Sequence, residues 1–210
     1  MTGCSVGVFN QLLPYFTEAH HEYLSRFHLT GKRRSGYRQY VMYQNSPLSC
    51  VEERLAFILS YLKLNPLQEH HADLFGIEQK QCYQFVHGLR IILHQALESA
   101  GCMPAQTDEE LQLRLSEFCK DGEKVLLHDG TEREIPRPVD SEQQKEKYSG
   151  KKKRHTVKNA LITSAACTIL FVSQTFNVHD KTIADTVYNI PAGFTLLQDS
   201  GVIRDMNHRE

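Results

Sequence analysis

Asp129 opens the run Asp129-Gly130-Thr131-Glu132, and the basic block Tyr148-Ser149-Gly150-Lys151-Lys152-Lys153-Arg154-His155-Thr156-Val157-Lys158-Asn159 follows it. Further along come His179-Asp180-Lys181-Thr182-Ile183-Ala184-Asp185 and Gln198-Asp199-Ser200-Gly201. Carboxylates interleaved with a basic segment suit phosphodiester chemistry. Two Mg2+ ions about 4 Å apart can activate an attacking oxygen and stabilise a leaving one. Mg2+ prefers a few carboxylates plus waters and substrate oxygens to an all-protein cage. Carboxylates distant in sequence can supply such a set if they converge at neighbouring strand ends.

The cations offer a second kind of chemistry. Lys151, Lys152, Lys153 and Arg154 form the best local electrostatic site for a nucleic-acid backbone. On a strand they would project alternately, so about half could meet one duplex. A solvated charged edge that discourages aggregation is the competing reading. Asp180 can equally serve as a helix N-cap. Glu132 is expected to orient its neighbours rather than bind metal.

The elements that position these groups divide near residue 102. Before it, apolar residues recur at helical spacing. Phe9, Leu12, Leu13, Phe16, Ala19 and Tyr23 predict a first helix, which runs into a basic, glycine-bracketed loop at 31–38. That loop is either solvated or a phosphate clamp. A second helix is expected over 51–64, with Leu55, Ile58, Leu59 and Leu62 on one face. Asn65-Pro66 reads as a restart, with Asn capping and Pro in the first helical position. A short helix over 66–75 breaks at Gly76, and another follows from about 78 to 100.

Residues 66–87 have the layout of a helix-turn-helix: Ala72 is small where helices touch, Gly76 allows the turn, and Ile77, Cys82 and Phe85 pack inward. Glu78, Gln79, Lys80, Gln81 and Gln84 are left outward. Glutamines can read adenine in a major groove, although Glu78 faces phosphates badly. A plain helical hairpin predicts much the same pattern.

After residue 102, a linker over 104–108 leads into a helix ending near 120. A short buried strand over 125–129 ends in the Asp129 carboxylate, and 135–147 reads as an exposed connection. Strands are expected over 151–162 and 168–173, joined by Ser164-Ala165-Ala166-Cys167, which lacks the usual Gly, Asn or Asp. A helix over about 180–188 and a strand over 194–198 close the pattern at Asp199. Three strands, a helix and a fourth strand are the opening half of a ribonuclease-H-like layout. The expected class is α/β: an all-α helix-turn-helix domain over 1–103, then a partial ribonuclease-H-like mixed sheet over 104–210.

Composition narrows the partners. A net charge of −1 excludes a uniformly basic, histone-like chain but leaves room for a local basic stripe. The six cysteines form no zinc-like cluster, and several are expected as reduced core residues. The pairs His20-His21 and His70-His71 point to different helix faces, so they are expected at the surface rather than on a shared metal. No secretory segment is visible, and the apolar stretch 160–172 is too short to span a bilayer, which makes the cytoplasm the default.

The blocks 129–132, 148–159 and 179–185 resemble bacterial insertion-sequence transposases of the DDE superfamily, in the group of endonucleases related to Harbinger elements. Residues 54–97 resemble the helix-turn-helix that precedes the catalytic domain there, so the resemblance covers about 50–201. It implies DNA cleavage and strand transfer at element ends, with Mg2+ or Mn2+ as cofactor. Asp129 would be the first catalytic and metal-binding carboxylate. Asp199, in Gln-Asp-Ser-Gly, would be the second, with Asp180 the alternative. The implied partner is double-stranded DNA, met by Lys151, Lys152, Lys153, Arg154 and Lys158 and by Gln79, Lys80, Gln81 and Gln84. Homo-oligomers or mixed assemblies with a full-length transposase follow, as does a cytoplasmic, nucleoid-associated location with no membrane.

The sequence also departs from that family. Val202 follows Gly201 where the family has an aromatic residue, and the pattern continues there to a third carboxylate, a glutamate on a later helix. This chain runs only eleven residues past Asp199, and Glu210 does not take that role. The expectation is a C-terminally truncated transposase, inactive alone. The alternatives are a DNA-binding product that occupies element ends or inhibits the full-length enzyme, and a decay product with no activity.

Overall fold

Ser5 starts the first helix, α1 (Val6–Arg26), by accepting a hydrogen bond from the Val8 N–H at 3.3 Å. The computed structural model describes residues 2–35, 40–43, 45–118, 124–174, 190–191, 193–198 and 204–205. Two units divide at residue 103, Met1–Met103 and Pro104–Glu210.

The first unit is helical. Cys50 and Glu53 form a reciprocal cap at the start of α2 (Val51–Leu64). Asn65 then ends α2 in the left-handed region, φ +44°, so it is a C-cap and not the cap of the next helix. Asn tolerates that conformation, and Pro66 follows as a helix stop rather than a start. The third helix, α3 (Gln68–Leu74), therefore begins two residues later than its sequence predicts. After Gly76, at φ +63°, comes α4 (Gln79–Ser99), whose Glu78 N–H is accepted by Gln81 Oε1 at 3.0 Å.

Phe16, Leu24, Leu55, Phe57, Ile58, Leu89 and Ile92 form its core. Burial of each such side chain stabilises by roughly 1.5–3 kcal/mol. Ala72, Cys82 and Phe85 are buried as the helix-turn-helix pattern requires, whereas Leu62 is 51 % exposed and off the predicted face. His20 and His71, expected at the surface, are fully buried. Each is the inward member of its pair, held by the other aromatic and polar groups around it.

The second unit is a mixed sheet with a helix on it. Gln106 N–H bonds Glu110 Oε2 at 2.8 Å and Glu110 N–H bonds Thr107 Oγ1 at 3.3 Å, setting the start of α5 (Asp108–Phe118). Its Leu111 and Leu115 are buried with Leu126, Ala160, Ile162, Phe171 and Leu196 from the sheet. The remaining elements are β1 (Val125–Glu134), α6 (Ser141–Glu146), β2 (Tyr148–Ser149), β3 (Arg154–Ser164), β4 (Ile169–Val172), β5 (Thr195–Gln198) and β6 (Arg204–Asp205).

Strand order is β2-β3-β1-β5-β6, with β4 on the same side of β3 as β2. β1 is antiparallel to β3 and parallel to β5. An antiparallel meander whose first strand takes a parallel neighbour on its free side is the opening of a ribonuclease-H-like sheet. The class is α/β, with N-terminal helices ahead of a mixed sheet. No helix among the described residues is long and apolar enough to cross a membrane.

Several local expectations change. β1 runs through Asp129 to Glu134 because β3 pairs with it over 126–134. Asp129 is thus inside a strand, not at its end. Within 135–147, Asp140 caps the exposed helix α6 by accepting the Gln143 N–H at 2.9 Å. The β3–β4 turn uses Cys167 at φ +62°, closed by Cys167 N–H on Ser164 O at 2.9 Å. Among the described cysteines only Cys82 is buried; Cys102 and Cys167 are exposed. Cys119 and the predicted 180–188 helix lie outside the described residues.

Candidate functional site

Alternation along β1 turns Leu126 and His128 into the core and leaves Asp129 exposed on the other face. Asp129 pairs across to Leu161 of β3. On the other side, β5 pairs with β1 only as far as Gln198 opposite His128. From Asp129 onward the described pairing of β1 is with β3 alone. Among the described residues no hydrogen bond or ion pair engages the Asp129 carboxylate, so its oxygens are available to a hard cation or to solvent. Asp199 and Asp180 both lie outside the described residues.

Carboxylate oxygens free of protein partners have the donor chemistry Mg2+ selects. Asp129 fits that description, but by itself it is one ligand. No group of three or more His, Cys, Asp or Glu among the described residues could hold a metal ion. The convergence of carboxylates that the sequence implies therefore rests on residues not described.

The basic block takes a different form from the one its spacing predicts. β3 begins at Arg154, and Tyr148 and Ser149 pair back onto His155 and Arg154. Residues 150–153 are then the loop of a hairpin, with Lys153 at φ +55°. The Ser149 hydroxyl accepts the Lys152 N–H at 3.2 Å and steadies the loop. Lys151, Lys152 and Lys153 are all exposed. They project from one turn instead of alternating along a strand. The Ser149-Gly150 dipeptide is a turn signal that could have placed this loop from sequence.

Arg154 is not part of that free cluster. Its Nη1 bonds both oxygens of Glu134, at 2.6 and 2.7 Å. Glu132 accepts the Thr156 hydroxyl at 2.7 Å. Each glutamate reaches diagonally, two residues along β3 from its register partner, as cross-strand neighbours can. Hydrogen bonds from the Thr156 and Ser149 hydroxyls, with Lys158 and Lys152 nearby, hold the Glu132 carboxyl below the usual carboxylate range. Glu132 thus ties β1 to β3 through Thr156, and Glu134 adds a second tie to the same strand. The orienting role has a concrete object: the lysine turn is fastened to the strand that carries Asp129. Glu134, Ser149 and Thr156 were not singled out from sequence, because their use depends on register.

Glu132→Gln is expected to weaken the second unit. Its folded pKa is depressed, so its contribution is present above the ordinary carboxylate range and fades as pH falls through the folded value. Loss of charge-assisted bonds at a half-buried site is worth about 1 kcal/mol. Urea unfolding at pH 7 should show a lower midpoint at unchanged slope. A midpoint equal to that of the unsubstituted protein would remove the tie.

In the first unit, Gln79 and Lys80 are exposed at the start of α4, while Gln84 is half-buried. Gln81 is partly committed, since its Oε1 holds the Glu78 N–H. Gln79 and Lys80 are placed outward, whereas Gln81 and Gln84 are only partly exposed and Gln81 has one fewer polar atom to offer.

Two comparisons add to this geometry. Residues 46–99 match the family described as helix-turn-helix of DDE superfamily endonuclease, which takes in α2, α3 and α4. Residues 128–189 match the family described as DDE superfamily endonuclease, from His128 beside Asp129 through β4. Asp180 falls within the second match and Asp199 beyond it. No curated protein and no solved structure matches the chain.

Proposed function

From a helix-turn-helix segment followed by an endonuclease segment, both matched to the DDE superfamily, we propose that the chain is part of a transposase. Its ancestry would be a bacterial insertion sequence of the Harbinger-related type, acting on element ends in the cytoplasm at the nucleoid. The observation that carries the reading is the pair of matches in this order, with the exposed Asp129 on a strand tied to a lysine turn.

Asp129 and Asp199, with Asp180 the alternative, would hold Mg2+ or Mn2+. When bound, the metal would activate the attacking oxygen and stabilise the leaving one in phosphodiester displacement. The chain's own contributions are binding and orientation. Lys151, Lys152 and Lys153 hold backbone phosphates, Glu132 and Glu134 fix the turn that presents them, and the outward residues of α4 meet the duplex.

The resemblance implies three catalytic carboxylates, of which Asp129 and Asp199 are two, and on this reading the protein is inactive alone. A second reading follows: a DNA-binding product that occupies element ends or joins a full-length enzyme in mixed assemblies. The well-packed helical unit, with its own core, favours that reading for this polypeptide.

One experiment addresses both. Mn2+ added to the protein should broaden NMR signals around Asp129, and Asp129→Asn should abolish that effect while DNA binding persists. Supercoiled plasmid bearing candidate ends should stay uncut with either metal. Cleavage that Asp129→Asn removes would overturn the inactive reading. Broadening that survives the substitution would overturn the metal assignment.

A further inference from the structure

The loop after α1 lies outside both family matches, yet it is built as a seat. Phe27 and Arg33 form a bridge, and the His28 N–H bonds Lys32 O at 2.8 Å. The Gly31 N–H bonds His28 O at 2.8 Å with φ +79°, a backbone conformation that favours glycine. The Arg34 N–H closes the loop on Arg26 O at 2.8 Å.

This loop sits directly on α4. A Cβ at Gly88 would fall 2.7 Å from Leu29 Cδ2, 2.8 Å from Leu29 O and 2.9 Å from Leu29 Cα. Two of those atoms are close to or in the backbone and cannot swing away. Only glycine at 88 permits the contact, one helical turn after Gln84.

Beside this contact lies an open cavity of about 490 Å3, lined by His28, Leu29, Lys32, Arg34, Tyr40 and Gln84 among others. Among the described residues, no acidic side chain lines it. Arg34 is preset: its Nε donates to Phe27 O at 3.1 Å, and its guanidinium lies 5.2 Å from the Tyr40 ring centroid. Tyr40 is held in turn by Arg54 Nη1, which donates to its hydroxyl at 2.8 Å. The described lining sets two leucines beside Lys32, the planar fork of Arg34 and the donors of His28, Thr30, Tyr40 and Gln84, a polar set that suits an oxyanion.

We infer that this cavity is a phosphate site: it takes a backbone phosphodiester of the duplex that α4 engages, so the loop after α1 extends the DNA footprint beyond the helix-turn-helix. The identity of the ligand as DNA rests on the proposed function, while the oxyanion chemistry rests on the cavity itself. A phosphate held here would lie beside Gln84 and fix the register of α4 without reading sequence.

The test uses the whole chain and two probes, a fluorescein-labelled 20-base-pair duplex and inorganic phosphate. Lys32→Ala together with Arg34→Gln should lower the slope of log affinity against log salt by about 1.8, equally on unrelated duplexes. Between 50 and 200 mM salt the unsubstituted protein would then lose about 12-fold more affinity than the double variant. Lys32→Ala alone, which breaks no described side-chain bond, should lower the slope by about 0.9. Gly88→Ala should reproduce the loss by lifting the loop from α4. Inorganic phosphate should shift the amide signals of residues 29–34 and Gln84 saturably, and the double variant should not respond. An unchanged slope, with Lys80→Ala lowering it, overturns the site and keeps DNA binding by α4. No duplex binding with saturable phosphate shifts overturns the DNA reading and keeps the oxyanion site. Neither binding nor shifts overturns both.

Discussion

Lowering the pH from 7 toward 4 is expected to destabilise the helical unit, and His20→Gln is expected to remove most of that sensitivity. His20 is fully buried on α1, and Arg54 Nη1 lies 2.8 Å from its Nε2. Arginine can only donate, so Nε2 accepts and the ring is neutral. Arg54 is itself 2 % exposed, and no carboxylate pairs with it among the described residues. It donates instead to Leu48 O at 3.0 Å and to the Tyr40 hydroxyl, and lies over the Phe85 ring. A proton on His20 would place a second cation against the first.

Burial, then the Arg54 guanidinium and then His21 push His20 down from 6.5 to about 3. The folded state resists the proton that the unfolded state takes up near 6.5. Stability is therefore intact above that value and lost as pH falls from it toward the folded pKa. At 1.36 kcal/mol per unit, roughly 3 kcal/mol is lost by pH 4. A small domain holds only about 5–15 kcal/mol in total. His71, which burial also lowers, acts in the same direction. The exposed Arg26–Glu22 pair contributes little either way.

Thermal melts followed by circular dichroism at pH 7, 5 and 4 measure the effect. Glutamine keeps an acceptor for Arg54 but does not titrate, so the substituted unit should melt at temperatures that change far less with pH. Parallel losses in both proteins would remove His20 as the cause.

Such a group was not legible in the sequence, and the reason is general. The apolar positions of α1, α2 and α4 follow the helical period, and a period is visible in one chain. A buried histidine breaks that pattern and looks like a surface residue until its partners are known. Arg54 looks like an ordinary cation at the start of α2 for the same reason. Asn65 could cap the helix behind it or the helix ahead, and only its left-handed φ decides.

In the second unit, strand existence was legible and strand extent was not. Residues 129–134 are polar on both faces, so their place in β1 comes from pairing with β3 and not from alternation. The ties from Glu132 and Glu134 depend on a cross-strand register that no local pattern fixes. Asp129 was legible as a candidate because its flanking block is distinctive, and its exposure follows from alternation with His128. Which carboxylate joins it was not, since Asp180 and Asp199 have equal chemistry and differ only in placement.

That register also sets the expected result for the lysine turn. Replacing Lys151, Lys152 and Lys153 together by alanine is expected to weaken DNA binding through its salt dependence. Five cations were expected to serve the duplex from this block, but the structure sorts them. Arg154 is matched by both oxygens of Glu134, and Lys158 is half-buried opposite Glu132. Lys152 shares its field with the Glu132 carboxylate. Lys151 and Lys153 carry no such neighbour among the hydrogen bonds and ion pairs described. Two to three phosphate contacts are therefore the realistic number. Each removes about 0.9 from the slope of log affinity against log salt, for a total of about 1.8–2.7. Between 50 and 200 mM salt, the unsubstituted protein should lose about 12- to 40-fold more affinity than the triple variant. The loss should be the same on every duplex sequence, since phosphates carry no base identity. Arg154→Ala should change the slope less, because its charge is already matched, while loosening the tie between the turn and β1. Anisotropy titrations over a salt series read all of these. A triple variant with the slope of the unsubstituted protein would make the turn a solvated edge that only discourages strand pairing.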